Sequence, residues 1–180
     1  MIKLKLDLRI QKTYKLLIEA LFELMKEKSF ESIKLTEICE KAMVHKTTFY
    51  HHFTDKYDLL KFAITELQKS MLNQIELKND DLITYYLNLA QIYMKHIKEN
   101  KAFYRSIILD NENSICLNIF YDMFVKDIES KLKNYPLDIP INYFLSYHVN
   151  GVFQVIQEWF RKGLIEDEET IIHYLKILLN

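Results

Sequence analysis

Apolar residues recur along most of the chain at intervals of three and four, which is the spacing of one buried helix face. Between about residues 8 and 27 this pattern predicts a long amphipathic helix. It predicts further long helices over about residues 56 to 79 and 80 to 100, a shorter helix to about 109, and others over 114 to 133, 141 to 162 and 166 to 179. With two short segments near the start, about nine helices are expected.

The two short segments lie between the first and second long helices. One begins at Thr36, a predicted N-cap, and turns Ile38 and Ala42 inward; the other spans residues 46 to 53. Isolated helices of this length are marginal in water, so they must be held by packing against the first long helix. Two short helices joined by a tight turn are typical of a helix-turn-helix.

Composition favours an entirely helical fold. The 180 residues include 2 Gly and 2 Pro, whereas turns in sheet-rich proteins rely heavily on these residues. We therefore expect an all-α protein in which Asn and Asp supply the breaks, with Thr54-Asp55 capping the helix that follows.

Several function classes are disfavoured by what the sequence lacks. Cys39 and Cys116 are too few and too far apart for a metal knuckle or a disulfide framework. His51 and His52 are adjacent, so on a helix their side chains diverge, and no metal or other cofactor is expected. No apolar run is long enough to cross a membrane, and no secretory leader is recognisable, so a cytoplasmic protein is expected.

Residues 9 to 60 resemble the DNA-binding domain of TetR-family transcriptional regulators. The resemblance is carried by the stretch TEICEKAMVHKTTFYHHFTDKYDLL, residues 36 to 60. The segment from Asn150-Gly151-Val152-Phe153 through Glu158-Trp159-Phe160-Arg161-Lys162-Gly163 is similar to the penultimate helix of many Gram-positive-type members. The resemblance implies a helix-turn-helix DNA-binding domain over residues 1–55 and a helical dimerisation and effector-binding domain over 56–180.

The turn between the two short helices departs from the family pattern. Met43 stands where the family usually has Gly, so this residue either adopts a strained positive φ or a negative-φ variant of the turn. His45 replaces the usual Ser, and we expect it to cap the third helix only weakly.

The resemblance also implies which residues contact double-stranded operator DNA. Tyr50 and Lys56 are expected to reach backbone phosphates, whereas Lys46 and Thr47 are the first candidates for reading base edges in the major groove. Phe49 and Phe53 should point inward and set the angle of the reading helix. The complete predicted set is Arg9, Thr36, His45, Lys46, Thr47, Thr48, Tyr50, His51 and Lys56.

Two further sets are expected in the second domain. An apolar effector pocket is predicted among aromatic residues, although such residues in helical bundles are more often ordinary core. They are Tyr86, Tyr93, Phe103, Tyr104, Phe120 and Phe124. In the family the last two helices usually form a four-helix bundle with a second subunit, which gives a predicted homodimer interface at Tyr147, Gly151, Val155, Trp159, Ile172, Leu175 and Leu179.

Three functions remain open from the sequence. The first is a DNA-binding regulator, by family default a repressor, that leaves a pseudo-palindromic operator when it binds a small apolar or amphipathic effector. The second keeps DNA binding but replaces the small molecule with a protein partner, and it predicts a filled second domain without a cavity. The third is an enzyme or helical scaffold; no Gly-rich phosphate loop, metalloprotease motif or nucleophile elbow supports catalysis.

Overall fold

The computed structural model describes residues 8–72, 82–109, 115–133 and 135–179, apart from the side chains of Leu72, Phe120, Met123 and Asp127. Within these ranges the regular elements are all helical, which confirms the predicted fold class. The bounds are α1 Leu8–Glu27, a short 3₁₀ turn Phe30–Ser32, α2 Leu35–Lys41, α3 Lys46–Tyr50, α4 Lys56–Leu72, α5 Leu82–Glu99, α6 Lys101–Ile108 and α7 Ile115–Leu132.

The last two helices complete the set. Helix α8 runs from 141 to 161 without a break, as Ile141–Phe144, a π-helical turn Leu145–Val149, and Asn150–Arg161. Helix α9 is Glu168–Leu179. The described residues therefore hold nine helices, as the sequence predicts. The expected end of α4 near residue 79 and the expected start of α7 at residue 114 lie outside them.

Helix α1 packs both on the short N-terminal helices and on the helices that follow them. It packs against α2 and α4 on one side and against α6 on the other. Its Leu17 and Leu21 are fully buried, and its Phe22 meets Phe103 of α6 edge to face, with ring centroids 4.8 Å apart. The short helices of the N-terminal region thus rest on an element that is itself anchored in the rest of the protein.

Helix α9, the last in the chain, packs on α5 and α8. Trp159 of α8 is buried, and its Nε1 donates a hydrogen bond of 2.8 Å to the carbonyl oxygen of Glu166 in the α8–α9 connection. Lys98 of α5 pairs with Glu168 at the start of α9, with Nζ and Oε1 3.0 Å apart. None of the helices in the described ranges is long and apolar enough to cross a membrane.

Candidate nucleic-acid interface

The turn between α2 and α3 is closed by a Schellman motif. The Val44 amide donates to the carbonyl of Cys39 over 2.9 Å, and the Met43 amide donates to that of Glu40 over 3.1 Å. Met43 has φ 53°, the left-handed conformation that glycine adopts at no steric cost. Of the two turns that the sequence left open, the strained positive-φ turn is therefore the one formed.

Helix α3 presents a polar face to solvent. Lys46, Thr47, Tyr50 and His51 are exposed, and Thr48 is half-buried. With five residues the helix is short enough for these groups to form one compact patch. The major groove of DNA admits a single helix, so a patch of this size suits contacts to base edges and flanking phosphates.

The opposite face of α3 is fixed by aromatic packing. Phe49 and Phe53 are buried, with ring centroids 5.6 Å apart. Tyr14 of α1 packs on Phe53 at 5.3 Å and meets the ring of His52 edge to face at 5.2 Å. The inward direction predicted for the two phenylalanines is confirmed, and α1 sets the angle at which α3 faces outward.

The other predicted contacts lie on neighbouring elements. Arg9 is exposed in the first turn of α1, and Thr36 is half-buried in α2. Thr36 is not the N-cap of α2, as the sequence suggested: the cap is Lys34, whose amide donates to Oε2 of Glu37 over 2.8 Å. The carboxylate of Glu37 thus caps the start of its own helix. Its other oxygen accepts a hydrogen bond from Nζ of Lys28, just after the end of α1, and this contact ties α2 to α1.

His45 occupies the N-cap position of α3 but makes no capping hydrogen bond with its side chain. The expectation of a weak side-chain cap was therefore wrong. At the start of α4, Asp55 accepts from the amides of Tyr57 and Asp58 over 2.8 and 2.9 Å, which confirms the predicted cap. His45 remains exposed beside Lys46, where its ring is available to a ligand.

Lys56, at the start of α4, is held by backbone carbonyls of the segment between α1 and α2. Its Nζ donates to the carbonyl oxygens of Phe30, Glu31 and Ile33 over 3.0, 2.9 and 2.9 Å. It also lies 4.7 Å from the centroid of the Phe30 ring. An ammonium group has three donors, and these carbonyls take all three. Its head group thus joins the start of α4 to the turn between α1 and α2, and the phosphate contact of Lys56 stays a prediction.

The predicted effector residues divide into two groups. Tyr93, Tyr104 and Phe124 line a cavity among α5, α6, α7 and α8. Tyr86 and Phe103 are buried away from it, Tyr86 against Phe144 and His148, and Phe103 against α1. These two are core residues, and the side chain of Phe120 lies outside the described residues.

The sequence did not single out Gln157, which lines the same cavity. Gln157 is 3% exposed, and its Nε2 has no hydrogen-bond partner among the described residues. It follows Phe153 by four positions on the apolar face of α8, so a search for polar residues inside an apolar helical stripe would have found it.

The predicted dimer residues also differ in exposure. Tyr147 and Gly151 are exposed on α8, and Val155, Ile172 and Leu179 are half-buried. Trp159 and Leu175 are each 1% exposed, because they fill the space between α8, α9 and α5 within one protomer. We therefore remove these two from the predicted interface. The apolar face also includes Tyr143, Tyr174, Ile177 and Leu178, all exposed.

Comparison with known proteins decides the family. Residues 84–180 match the profile described as "Transcriptional regulator C-terminal region", and residues 17–62 match that of "Bacterial regulatory proteins, tetR family". The chain belongs to the TetR family. The second profile covers α2, the turn and α3, so the patch on α3 lies in the family's helix-turn-helix DNA-binding region.

Two curated TetR-family relatives are informative. The HTH-type dhaKLM operon transcriptional activator DhaS of Lactococcus lactis is 22% identical over 157 residues, covering 84% of this chain and 81% of DhaS. The Transposon Tn10 TetC protein of Escherichia coli is 31% identical over 103 residues, covering 57% of this chain and 48% of TetC. Of these two relatives, DhaS is described as a transcriptional activator.

Solved TetR-family structures share the fold along nearly the whole chain. A regulator from Streptococcus agalactiae has a TM-score of 0.68 and 20% identity, covering 96% of each chain. FadR from Bacillus subtilis, solved in complex with stearoyl-CoA, has a TM-score of 0.64 and 14% identity, covering 92% of this chain and 97% of FadR. At these identities the likeness concerns the fold alone.

Proposed function

We propose that this protein is a homodimeric repressor that reads a pseudo-palindromic operator with α3 and leaves it when an effector binds the helical domain. Under this proposal residues 1–55 form the DNA-binding domain, residues 56–180 the dimerisation and effector domain, and the protein acts in the cytoplasm. The observation that supports it most is the α3 patch, polar outward and locked inward by Phe49 and Phe53.

The chemistry of the patch suits both kinds of DNA contact. Lys46 can donate to the O6 and N7 acceptors of guanine, and the methyl group of Thr47 can touch that of thymine. Tyr50 projects a hydroxyl from an exposed position, where it can donate to a phosphate oxygen. Two such patches in a dimer, about 34–36 Å apart, would require two half-sites separated by one helical turn.

A double variant tests the reading helix. Lys46→Ala with Tyr50→Ala is expected to lose operator binding while circular dichroism and molecular mass stay unchanged, since both side chains are exposed. Lys61→Ala with Lys101→Ala is the matched control, because it removes two exposed side chains outside both α3 and the apolar face of α8 and α9. Operator affinity retained by the first variant would reject α3 as the reading helix.

Dimerisation through α8 and α9 is supported by their exposed apolar face. Tyr147 and Tyr143 are 71% and 66% exposed, and Ile177 and Leu178 about as much. Several large apolar side chains exposed on two neighbouring helices suit an interaction site better than a surface in contact with water. Sedimentation equilibrium tests this directly: a mass of one chain at micromolar concentration would contradict a homodimer.

Control by a protein partner is the second candidate. It is favoured by the narrowness of the cavity, which has a volume of about 30 Å³.

Whether the protein represses or activates transcription is tested separately. A reporter gene is placed behind the operator sequence that the protein selects from random DNA. Repression is our expectation, and higher expression in the presence of the protein would instead make it an activator, as the L. lactis relative is described to be.

A further inference from the structure

Gly151 is exposed inside α8, at a position where the protomer itself does not need a glycine. Its φ is negative, and a Cβ atom placed on it would meet no atom of the described residues within 4 Å. A glycine inside a helix costs about 0.5–1 kcal/mol relative to alanine. A missing side chain is useful where a second backbone approaches closely. This position therefore indicates an approach by a helix from outside the protomer.

Large side chains protrude from α8 on the N-terminal side of Gly151. Tyr147 and Tyr143 precede it by four and eight positions, and both are exposed. In a regular α-helix, residues eight apart are rotated from each other by about 80°. The π-helical turn Leu145–Val149 takes up about one residue more than an α turn, which offsets most of that rotation. The two tyrosines and Gly151 therefore lie along one side of α8.

A groove lies on the C-terminal side of Gly151, between α8 and α9. It has a volume of about 290 Å³, exposes mainly apolar atoms, and is lined by Val155, Glu158, Trp159, Lys162, Ile171 and Tyr174. At about 1.5 Å per residue, its lining on α8 extends from roughly 6 Å beyond Gly151 at Val155 to roughly 16 Å at Lys162. Tyr147 and Tyr143 lie roughly 6 and 12 Å away in the opposite direction.

A two-fold axis next to Gly151 would bring the tyrosines and the groove together. In a two-fold dimer both subunits use the same surface. On two antiparallel helices, a residue before the axis then faces one equally far beyond it. Tyr147 would face the partner's Val155, and Tyr143 would face the groove beside the partner's Trp159. A cavity of roughly 150 Å³ holds benzene, so the groove has room for the ring of a tyrosine.

We propose that the α8 helices of two copies of this chain cross antiparallel at Gly151, and that Tyr143 of each copy enters the groove between α8 and α9 of the other. The inference rests on the homodimer of the proposed function and deepens it, because it names the residue at the axis and the side chain that fills the groove. A small molecule or a different protein in the groove would leave the exposed glycine unexplained.

Disulfide cross-linking of the full-length protein tests the axis. Wild-type protein is the blank, since its Cys39 and Cys116 are buried. In Gly151→Cys, two thiols meet at the axis, where the Cα atoms can reach the roughly 4.4–6.8 Å that a disulfide needs. Oxidation with copper phenanthroline should convert most chains to covalent dimers. Glu158→Cys is the matched control: it is exposed on the same helix, but its two copies would lie about 20 Å apart and should not cross-link.

A mixture of two variants gives the same information if the added side chain at position 151 separates the subunits. Tyr147→Cys and Val155→Cys should cross-link when they are mixed, because these positions face each other across the axis. Neither variant should cross-link alone. Cross-linking of Glu158→Cys, or none in either Gly151→Cys or the mixture, would overturn the axis if sedimentation shows the samples to be dimeric.

Substitutions of Tyr143 test the occupant of the groove. Tyr143→Ala should raise the dimer dissociation constant about 10-fold or more, because it removes an aromatic ring from each of two grooves. Tyr143→Phe keeps the ring and should stay within about 3-fold of the wild type, since the groove exposes mainly apolar atoms. Tyr50→Ala, an exposed tyrosine on α3, is the control for dimer affinity. An unchanged dissociation constant for Tyr143→Ala would overturn the seating of Tyr143 in the groove.

The inference and the proposed function fail separately. A wild-type protein that sediments as a single chain would contradict the homodimer, and with it the inference. A stable dimer that cross-links at Glu158→Cys instead of Gly151→Cys would leave the homodimer intact and overturn only the crossing at Gly151.

Discussion

Lys56 provides the sharpest test of how the reading helix is held. Its ammonium joins the first turn of α4 to three carbonyls in the segment between α1 and α2, and two of the three bonds are partly shielded from solvent. A hydrogen bond from a charged donor contributes about 1.5–3 kcal/mol. Lys56→Met keeps the hydrocarbon stem against Phe30 and lets water reach the vacated carbonyls.

Because of this solvation, the expected loss in free energy of unfolding is well below the full value of three bonds, about 2 kcal/mol. For a chain of this length that corresponds to a decrease in Tm of roughly 4–8 °C. Operator affinity should fall too, because the α1–α2 turn positions the helix-turn-helix. The salt dependence of binding should stay unchanged, since no phosphate contact is removed.

The two measurements are thermal unfolding and operator titration at several salt concentrations. Lys61→Met, on the exposed side of α4, is the matched control and should unfold like the wild type. A phosphate ligand would behave differently: its removal lowers the slope of log affinity against log salt by about 0.9 for each contact. A lower salt slope with an unchanged Tm in Lys56→Met would refute the stabilising role of the three hydrogen bonds and would show that Lys56 contacts a phosphate.

Three further predictions concern the turn at Met43, the pH dependence of stability at Glu37 and the dimer interface. Met43→Gly should raise the free energy of unfolding by about 0.5–1 kcal/mol in urea titrations, because Met43 has φ 53° and is 88% exposed; a loss of stability would contradict the strained turn. The hydrogen bond from Lys28, followed by that from the Lys34 amide, holds the pKa of Glu37 below 4.5. A carboxyl with a lowered pKa stabilises the fold above its unfolded-state pKa, and this stabilisation disappears as pH falls through the pKa of the folded state. Glu37→Gln should therefore have a lower free energy of unfolding than wild type at pH 7, and the difference should shrink below pH 4.5. A difference in free energy of unfolding that is independent of pH would refute this link. Tyr147→Asp should convert the dimer to a monomer in sedimentation equilibrium, whereas Tyr50→Asp, an exposed tyrosine on α3, should leave the mass unchanged; an unchanged mass for Tyr147→Asp would place the interface elsewhere.

Much of the helical layout was predictable because it depends on local pattern. The spacing of apolar residues defined α1 within its observed bounds, and the Asp55 cap followed from a residue type with a known preference. The inward direction of Phe49 and Phe53 followed from their four-residue separation. These features need only the neighbouring residues of the chain.

The sequence was least informative where contacts are made by residues distant along the chain. The carbonyl partners of Lys56 lie more than 20 positions earlier, in a turn that no periodicity reveals. Trp159 and Leu175 were expected at the dimer interface because they share a helical face with apolar neighbours, yet α5 already covers them. Periodicity identifies an apolar face without identifying what covers it.

Selection of bound sequences from a random duplex DNA pool, using the wild-type protein, shows whether the protein reads DNA in a sequence-specific way. We expect enrichment of a pseudo-palindrome with half-sites about one helical turn apart, and an affinity that falls as salt rises. The Lys46→Ala, Tyr50→Ala variant should enrich nothing. A folded dimer that enriches no sequence would contradict the assignment of α3 as a DNA-reading helix.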